Sequence, residues 1–88
     1  MHVLFIIDPL PSLSAYKDSS VAMMRAFLAR GHRVSVTLQS DLYISQSRVR
    51  TRSQAVSIAA DADLRAPSWW TYPEAATEQE LNVFDAVI

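Results

Sequence analysis

The residue types best suited to chemistry sit in two short motifs, Asp8-Pro9 and Lys17-Asp18-Ser19-Ser20. Asp8 follows an apolar run and Ser20 precedes an amphipathic one, so the motifs bracket the connection from a first strand to a first helix. At a helix start the backbone N–H groups lack partners and the helix dipole presents its positive end. Two serine hydroxyls and the Lys17 ammonium would add donors and charge, and a carboxylate or phosphate suits such a place. The same residues also have a purely structural use. Asp18 or Ser19 can cap the helix, Pro9 can fix the turn, and Lys17 can be a solvated charge. Capping is the commoner role of such residues and carries more weight on residue type alone. Gly31 is the only glycine of the chain. The glycine-rich loops that cradle the phosphates of ATP or NAD are therefore absent from this connection.

No other cluster supplies a catalytic pair. His2 and His32 stand at strand starts, away from the spacings of a metal site. Glu74, Glu78 and Glu80 read as a solvated face, because nothing sets two of them about a reacting bond. Arg48, Arg50 and Arg52 alternate along one side of an extended segment. They could grip phosphates or acidic groups, but a charged, solvent-facing sheet edge explains them more simply. Trp69, Trp70 and Tyr72 fit an interface or core packing equally well. No catalytic, cofactor-binding or metal-ligating residue is assigned, and the substrate-binding candidates are Asp8, Lys17, Asp18, Ser19 and Ser20.

Composition narrows the class. Half of the 88 residues are hydrophobic and the formal charge is −1, which fits one globular domain over residues 1–88 and not a disordered chain. The near-neutral charge gives no broad attraction to nucleic acid or anionic lipid. The Met1–Ile7 run is too short to span a bilayer or to serve as a signal-peptide core, so a cytoplasmic protein is expected. There are no cysteines, hence no disulfides to reinforce a small core.

The elements that must position these residues follow from hydropathy. His2 to Ile7 is a continuous apolar run, the pattern of a parallel strand buried on both faces. A helix is expected from about Ser19 to Arg30, with Val21, Met24, Phe27 and Leu28 on one face and Gly31 at its C-terminal turn. His32 to Gln39 alternates as a second strand, with Val34, Val36 and Leu38 on one side. Together these make a βαβ unit with parallel strands and a right-handed crossover. Ile44 to Ala60 reads as a ribbon of one or two strands. The proline-bounded Ala66 to Pro73 segment reads as an edge strand or packed loop. Thr77 to Asn82 is expected as a short helix or turn, leading into a buried parallel strand from Val83 to Ile88. Because the sequence stops within that apolar run, a truncated chain is expected.

Taken in order, Asp8-Pro9, Lys17 to Ser20, Ala22-Met23, Arg30-Gly31 and Asp41-Leu42-Tyr43 resemble the start of prokaryotic glutathione synthetases. The arginine-bearing ribbon and the Phe84-Asp85-Ala86-Val87-Ile88 strand extend the resemblance over nearly the whole chain. Arg25 departs from it, since the family commonly carries an acidic residue there. The resemblance implies an α/β fold, a Rossmann-like three-layer pre-ATP-grasp domain with a mostly parallel sheet plus a β-ribbon. It implies ATP-dependent ligation of γ-glutamylcysteine to glycine through an acyl phosphate. ATP and Mg2+ or Mn2+ would belong to central and ATP-grasp regions absent from these residues, so this fragment is expected to be inactive alone. The implied roles of this part are to help form the peptide-substrate site and a homo-oligomer interface, with no nucleic-acid or membrane partner. Two other readings remain at this point: the amino-terminal Rossmann-like domain of a glycosyltransferase, and a non-enzymatic α/β association module.

Overall fold

The computed structural model describes residues 1–88. The first strand, β1 (His2–Ile6), has Val3, Leu4 and Phe5 fully buried, as its unbroken apolar run requires. A proline-bearing connection leads to helix α1 (Ser19–Ala29), and then to β2 (Arg33–Thr37). β1 and β2 pair in parallel, Val3 beside Val34 and Phe5 beside Val36, so the βαβ unit is present. The helix ends in a Schellman turn. Gly31, at φ +82°, donates its N–H to Leu28 C=O at 3.0 Å, and the His32 N–H reaches Phe27 C=O at 3.0 Å.

β3 (Leu42–Ser45) and β4 (Arg48–Val56) form the expected ribbon. Gln46 and Ser47 join them with φ of 53° and 65°, the left-handed pair of a two-residue hairpin turn. β4 changes partners along its length. Gln54 to Val56 pair antiparallel with β2, while Arg50 and Thr51 are flanked by β3 on one edge and β5 (Thr77–Glu80) on the other. The arginine stripe therefore lies on an interior strand, not on the sheet edge that its charge pattern implies.

β5 itself corrects the sequence reading of Thr77 to Asn82 as a helix or turn. Only the stretch that follows, a 3-10 turn at Leu81–Val83, has that character. Thr77–Glu80 has no apolar period of its own. It is extended because its register sets Glu80 beside Arg50 and Glu78 beside Arg52 in the ladder. The chain then returns beside β1 as β6 (Ala86–Val87), parallel as expected, but it is a two-residue edge strand and Val83, Val87 and Ile88 are exposed, so the buried strand expected from Val83 to Ile88 is not formed. The Trp segment is a packed loop whose only strand-like contact is a bridge between Ser57 and Thr71.

The result is a small α/β domain with a mixed six-stranded sheet and one helix. The expected mostly parallel sheet is found only at β2-β1-β6; the ladders of β4 with β2, β3 and β5 are all antiparallel. The two-residue turn imposes that direction on β3 and β4, whereas the parallel pairs of β1 with β2 and β6 need the longer connections that join them. Val3, Phe5, Val34, Val36 and Val56 form the core with Val21 and Met24 of α1, and Phe27 and Leu28 pack against it. Trp69 joins this core, which settles its role as packing. Ser35 and Thr37 point to the opposite face and are nevertheless buried. Each is paired: Ser35 Oγ lies 2.7 Å from His2 Nε2, and Thr37 Oγ lies 2.6 Å from Thr51 Oγ.

Candidate functional site

The start of α1 shows how its polar residues divide their work. Asp18 sits at the N-cap with φ −83° and ψ 126°, and its Oδ1 accepts the Val21 N–H at 3.1 Å. The Asp18 carbonyl accepts the Ala22 N–H at 3.1 Å. Of the two possible caps, Asp18 is the one used. The N–H groups of Ser19 and Ser20 have no acceptor within the chain, which leaves two donors at the positive end of the helix dipole.

Asp8 lies just beyond the carboxyl end of β1, and Gln39 and Ser40 lie just beyond that of β2. Parallel strands feeding such loops place ligands at this end of a sheet. A cleft of about 600 Å³ opens there, with Asp8, Asp18, Ser20, Gln39 and Ser40 as its polar lining and Ile6, Pro9 and Leu13 among its apolar walls. Three of the five candidate residues, Asp8, Asp18 and Ser20, are thus brought together. Lys17 and Ser19 flank them in sequence but do not line the cleft. Both are exposed, and Lys17 Nζ lies 5.8 Å from the centre of the neighbouring Tyr16 ring.

Asp8 also faces a second, narrower cleft of about 210 Å³, where Asp41, Arg52, Gln54 and Tyr72 complete the polar lining. None of these four stood out from the sequence as a site residue. Arg52 was visible only as the last member of a stripe. The structure separates it from the others, because Arg48 and Arg50 both pair with Glu80, at 3.1 and 3.6 Å, whereas Arg52 makes no ion pair. Glu78, opposite Arg52 in the ladder, instead accepts the Tyr43 hydroxyl at 2.8 Å. The Arg52 backbone is fixed by the Thr37 hydroxyl, which donates to its carbonyl at 2.9 Å. The Thr37 and Thr51 hydroxyls also meet at 2.6 Å, which ties β2 to β4 beside this carbonyl.

Away from these clefts, the acidity of His2 is displaced. Burial beside Ser35 and the nearby Arg33 charge lower its pKa below the ordinary 6.5, against the opposing pull of Asp85 and Glu74. Glu74 pairs with Arg33 at 3.4 Å on the surface. No three His, Cys, Asp or Glu side chains converge as a metal-binding group. No helix is long and apolar enough to cross a membrane.

Comparison with known proteins gives a consistent result. Residues 1–88 match the family described as the N-terminal domain of prokaryotic glutathione synthetase. Glutathione synthetase of Bordetella pertussis is 59% identical over 88 residues, covering 100% of this chain and 28% of the relative. That of Neisseria meningitidis serogroup A is 35% identical over 88 residues, covering 100% of this chain and 27% of the relative. That of Pseudomonas putida is 39% identical over 83 residues, covering 94% and 25% respectively. The chain therefore spans about a quarter of the length of these relatives.

Proposed function

The chain belongs to the family of prokaryotic glutathione synthetase N-terminal domains, and we propose that it forms part of the peptide-substrate site of a ligase that joins γ-glutamylcysteine to glycine in the cytoplasm. In this reading ATP drives the ligation through an acyl phosphate, with Mg2+ or Mn2+ beside it. Both are held by parts of a longer protein outside these 88 residues. In this reading the isolated 88-residue polypeptide is inactive alone and contributes its surface to the larger enzyme.

The observation that carries the proposal is the cleft at the carboxyl ends of β1 and β2, where Asp8, Asp18 and Ser20 converge. Asp18 spends Oδ1 on the cap. Its second oxygen and Asp8 remain for an ammonium, and the free Ser20 N–H remains for a carboxylate. Lys17, exposed at the same turn, adds positive charge toward a substrate carboxylate. The parallel β2-β1-β6 core with α1 on one face supports the Rossmann-like pre-ATP-grasp reading, and an oligomer contact is supported by the exposed Ile44 and Val49 of the ribbon.

Transplantation tests the proposal. This chain is exchanged for the matched 88 residues of the Bordetella pertussis relative, and glutathione formation from γ-glutamylcysteine, glycine and ATP is measured. A functional chimera is expected. A folded chimera with no ligation would overturn the proposal.

A further inference from the structure

Arg52 and Asp8 line the same cleft with opposite charges and do not pair with each other. Arg48, Arg50 and Arg33 all have carboxylate partners, so Arg52 stands out among the charged side chains of the sheet. Its surroundings explain what kind of ligand fits. Asp41 adds a second carboxylate to the lining, and Gln54 and Tyr72 add neutral polar groups. A simple anion attracted to Arg52 would meet repulsion from Asp8 and Asp41. A simple cation would meet the guanidinium. A group carrying both charges on adjacent atoms satisfies both walls, with its carboxylate on the guanidinium fork and its ammonium on Asp8.

We infer that Arg52 and Asp8 hold the zwitterionic α-amino-acid head of a γ-linked glutamyl group, and that Arg52 is the residue that distinguishes γ-linked from α-linked peptides. The inference rests on the proposed ligase function for the identity of the peptide, and on the cleft for the chemistry of its head. A γ-linked glutamyl residue keeps its α-ammonium and α-carboxylate on one carbon. An α-linked one has its α-carboxylate consumed in the peptide bond, which leaves Arg52 with a neutral carbonyl. The cleft, at about 210 Å³, has room for such a head. Arg52 is presented from the middle of β4, paired with Glu78 of β5 just past the end of the β3 ladder, with its carbonyl tied to Thr37 at 2.9 Å. Its backbone is thus set by the sheet, as a specificity residue requires.

The isomers L-glutamine and L-isoglutamine test the inference directly. L-glutamine carries the free α-head and a neutral γ-amide. L-isoglutamine has the same atoms with the α-carboxylate amidated and the γ-carboxylate free. Titrating the 88-residue chain with each, followed by backbone amide NMR, should give saturable shifts at Asp8 and Arg52 with L-glutamine. Binding of L-isoglutamine should be weaker by about tenfold or more, the loss of one charge-assisted contact. Arg52→Gln should abolish the preference while the spectrum stays folded, and Arg48→Gln should retain it. Equal binding of the isomers, no saturable shift with L-glutamine, or an unchanged preference in Arg52→Gln would each overturn the inference. The transplanted enzyme separates this from the function it rests on. Ligation without an Arg52-dependent preference removes the inference alone. An Arg52-dependent preference in a chimera that folds but makes no glutathione removes the ligase reading and leaves the cleft.

Discussion

Replacing Asp18 by alanine removes one hydrogen bond and one charge from the start of α1, and both losses can be sized. The Val21 N–H loses its acceptor, which at an N-cap costs about 1 kcal/mol. No other acidic residue lies in the first turn, so the favourable carboxylate–dipole interaction is lost as well, about 0.3–1 kcal/mol. The sum is about 1.5–2 kcal/mol. In a domain of this size each kcal/mol shifts the melting temperature by about 4–8 °C, so a fall of roughly 6–15 °C is expected. Asp18→Asn keeps an acceptor at the cap and should recover most of the loss. Urea unfolding followed by fluorescence of the buried Trp69 provides the assay, with the midpoint falling and the slope unchanged. A midpoint unmoved by Asp18→Ala, or moved equally by Asp18→Asn, would refute the reasoning. An unmoved midpoint would mean that the carboxylate does not stabilise the helix start, and an equal loss in Asp18→Asn would assign the stabilisation to its charge and not to the hydrogen bond.

Other consequences can be checked with the same protein. Gly31→Ala meets no atom within 4 Å, so its cost is the left-handed backbone alone, about 1–2 kcal/mol by urea unfolding. Loss of more than about 4 kcal/mol would point to a packing role that the structure does not show. Below pH 6.5 an unfolded chain protonates His2 while the folded chain, with its lowered pKa, resists, so the unfolded state binds more protons and stability falls as pH drops through this window. Unfolding midpoints at pH 7.5 and 5.5 should therefore converge in His2→Gln relative to the unsubstituted chain, and an unaltered difference would show that His2 is not responsible. Calorimetric titration of the 88-residue chain with ATP and Mg2+ should give no saturable heat, and tight binding would contradict placing the nucleotide site elsewhere.

Much of this fold is legible because its patterns are local. The apolar run of β1, the Val21, Met24, Phe27 and Leu28 face of α1, and the single glycine after it specify strand, helix and stop without reference to the rest of the chain. The Asp18 cap is legible for the same reason, although residue type alone could not choose between Asp18 and Ser19. β5 is different. Thr77-Glu78-Gln79-Glu80 becomes a strand through Arg50 and Arg48, some thirty positions away, and through the Tyr43 contact to Glu78. The hairpin turn at Gln46-Ser47 lacks the Asn-Gly or Asp-Gly signature, so only the register of its strands reveals it. Arg52 was hidden by its neighbours. Three alternating arginines look alike in sequence, and only the position of Glu80 shows that two are neutralised and the third faces the cleft.

The central claim, that the β1–α1 connection meets the peptide substrate, is tested most directly by the steady-state KM for γ-glutamylcysteine in the transplanted enzyme carrying Asp8→Asn and Lys17→Ala. Loss of a charge-assisted contact predicts a rise of about 10- to 100-fold with the KM for ATP unchanged. Dipeptide KM and kcat both equal to those of the unsubstituted chimera would contradict the claim and leave this loop with the single task of starting the helix.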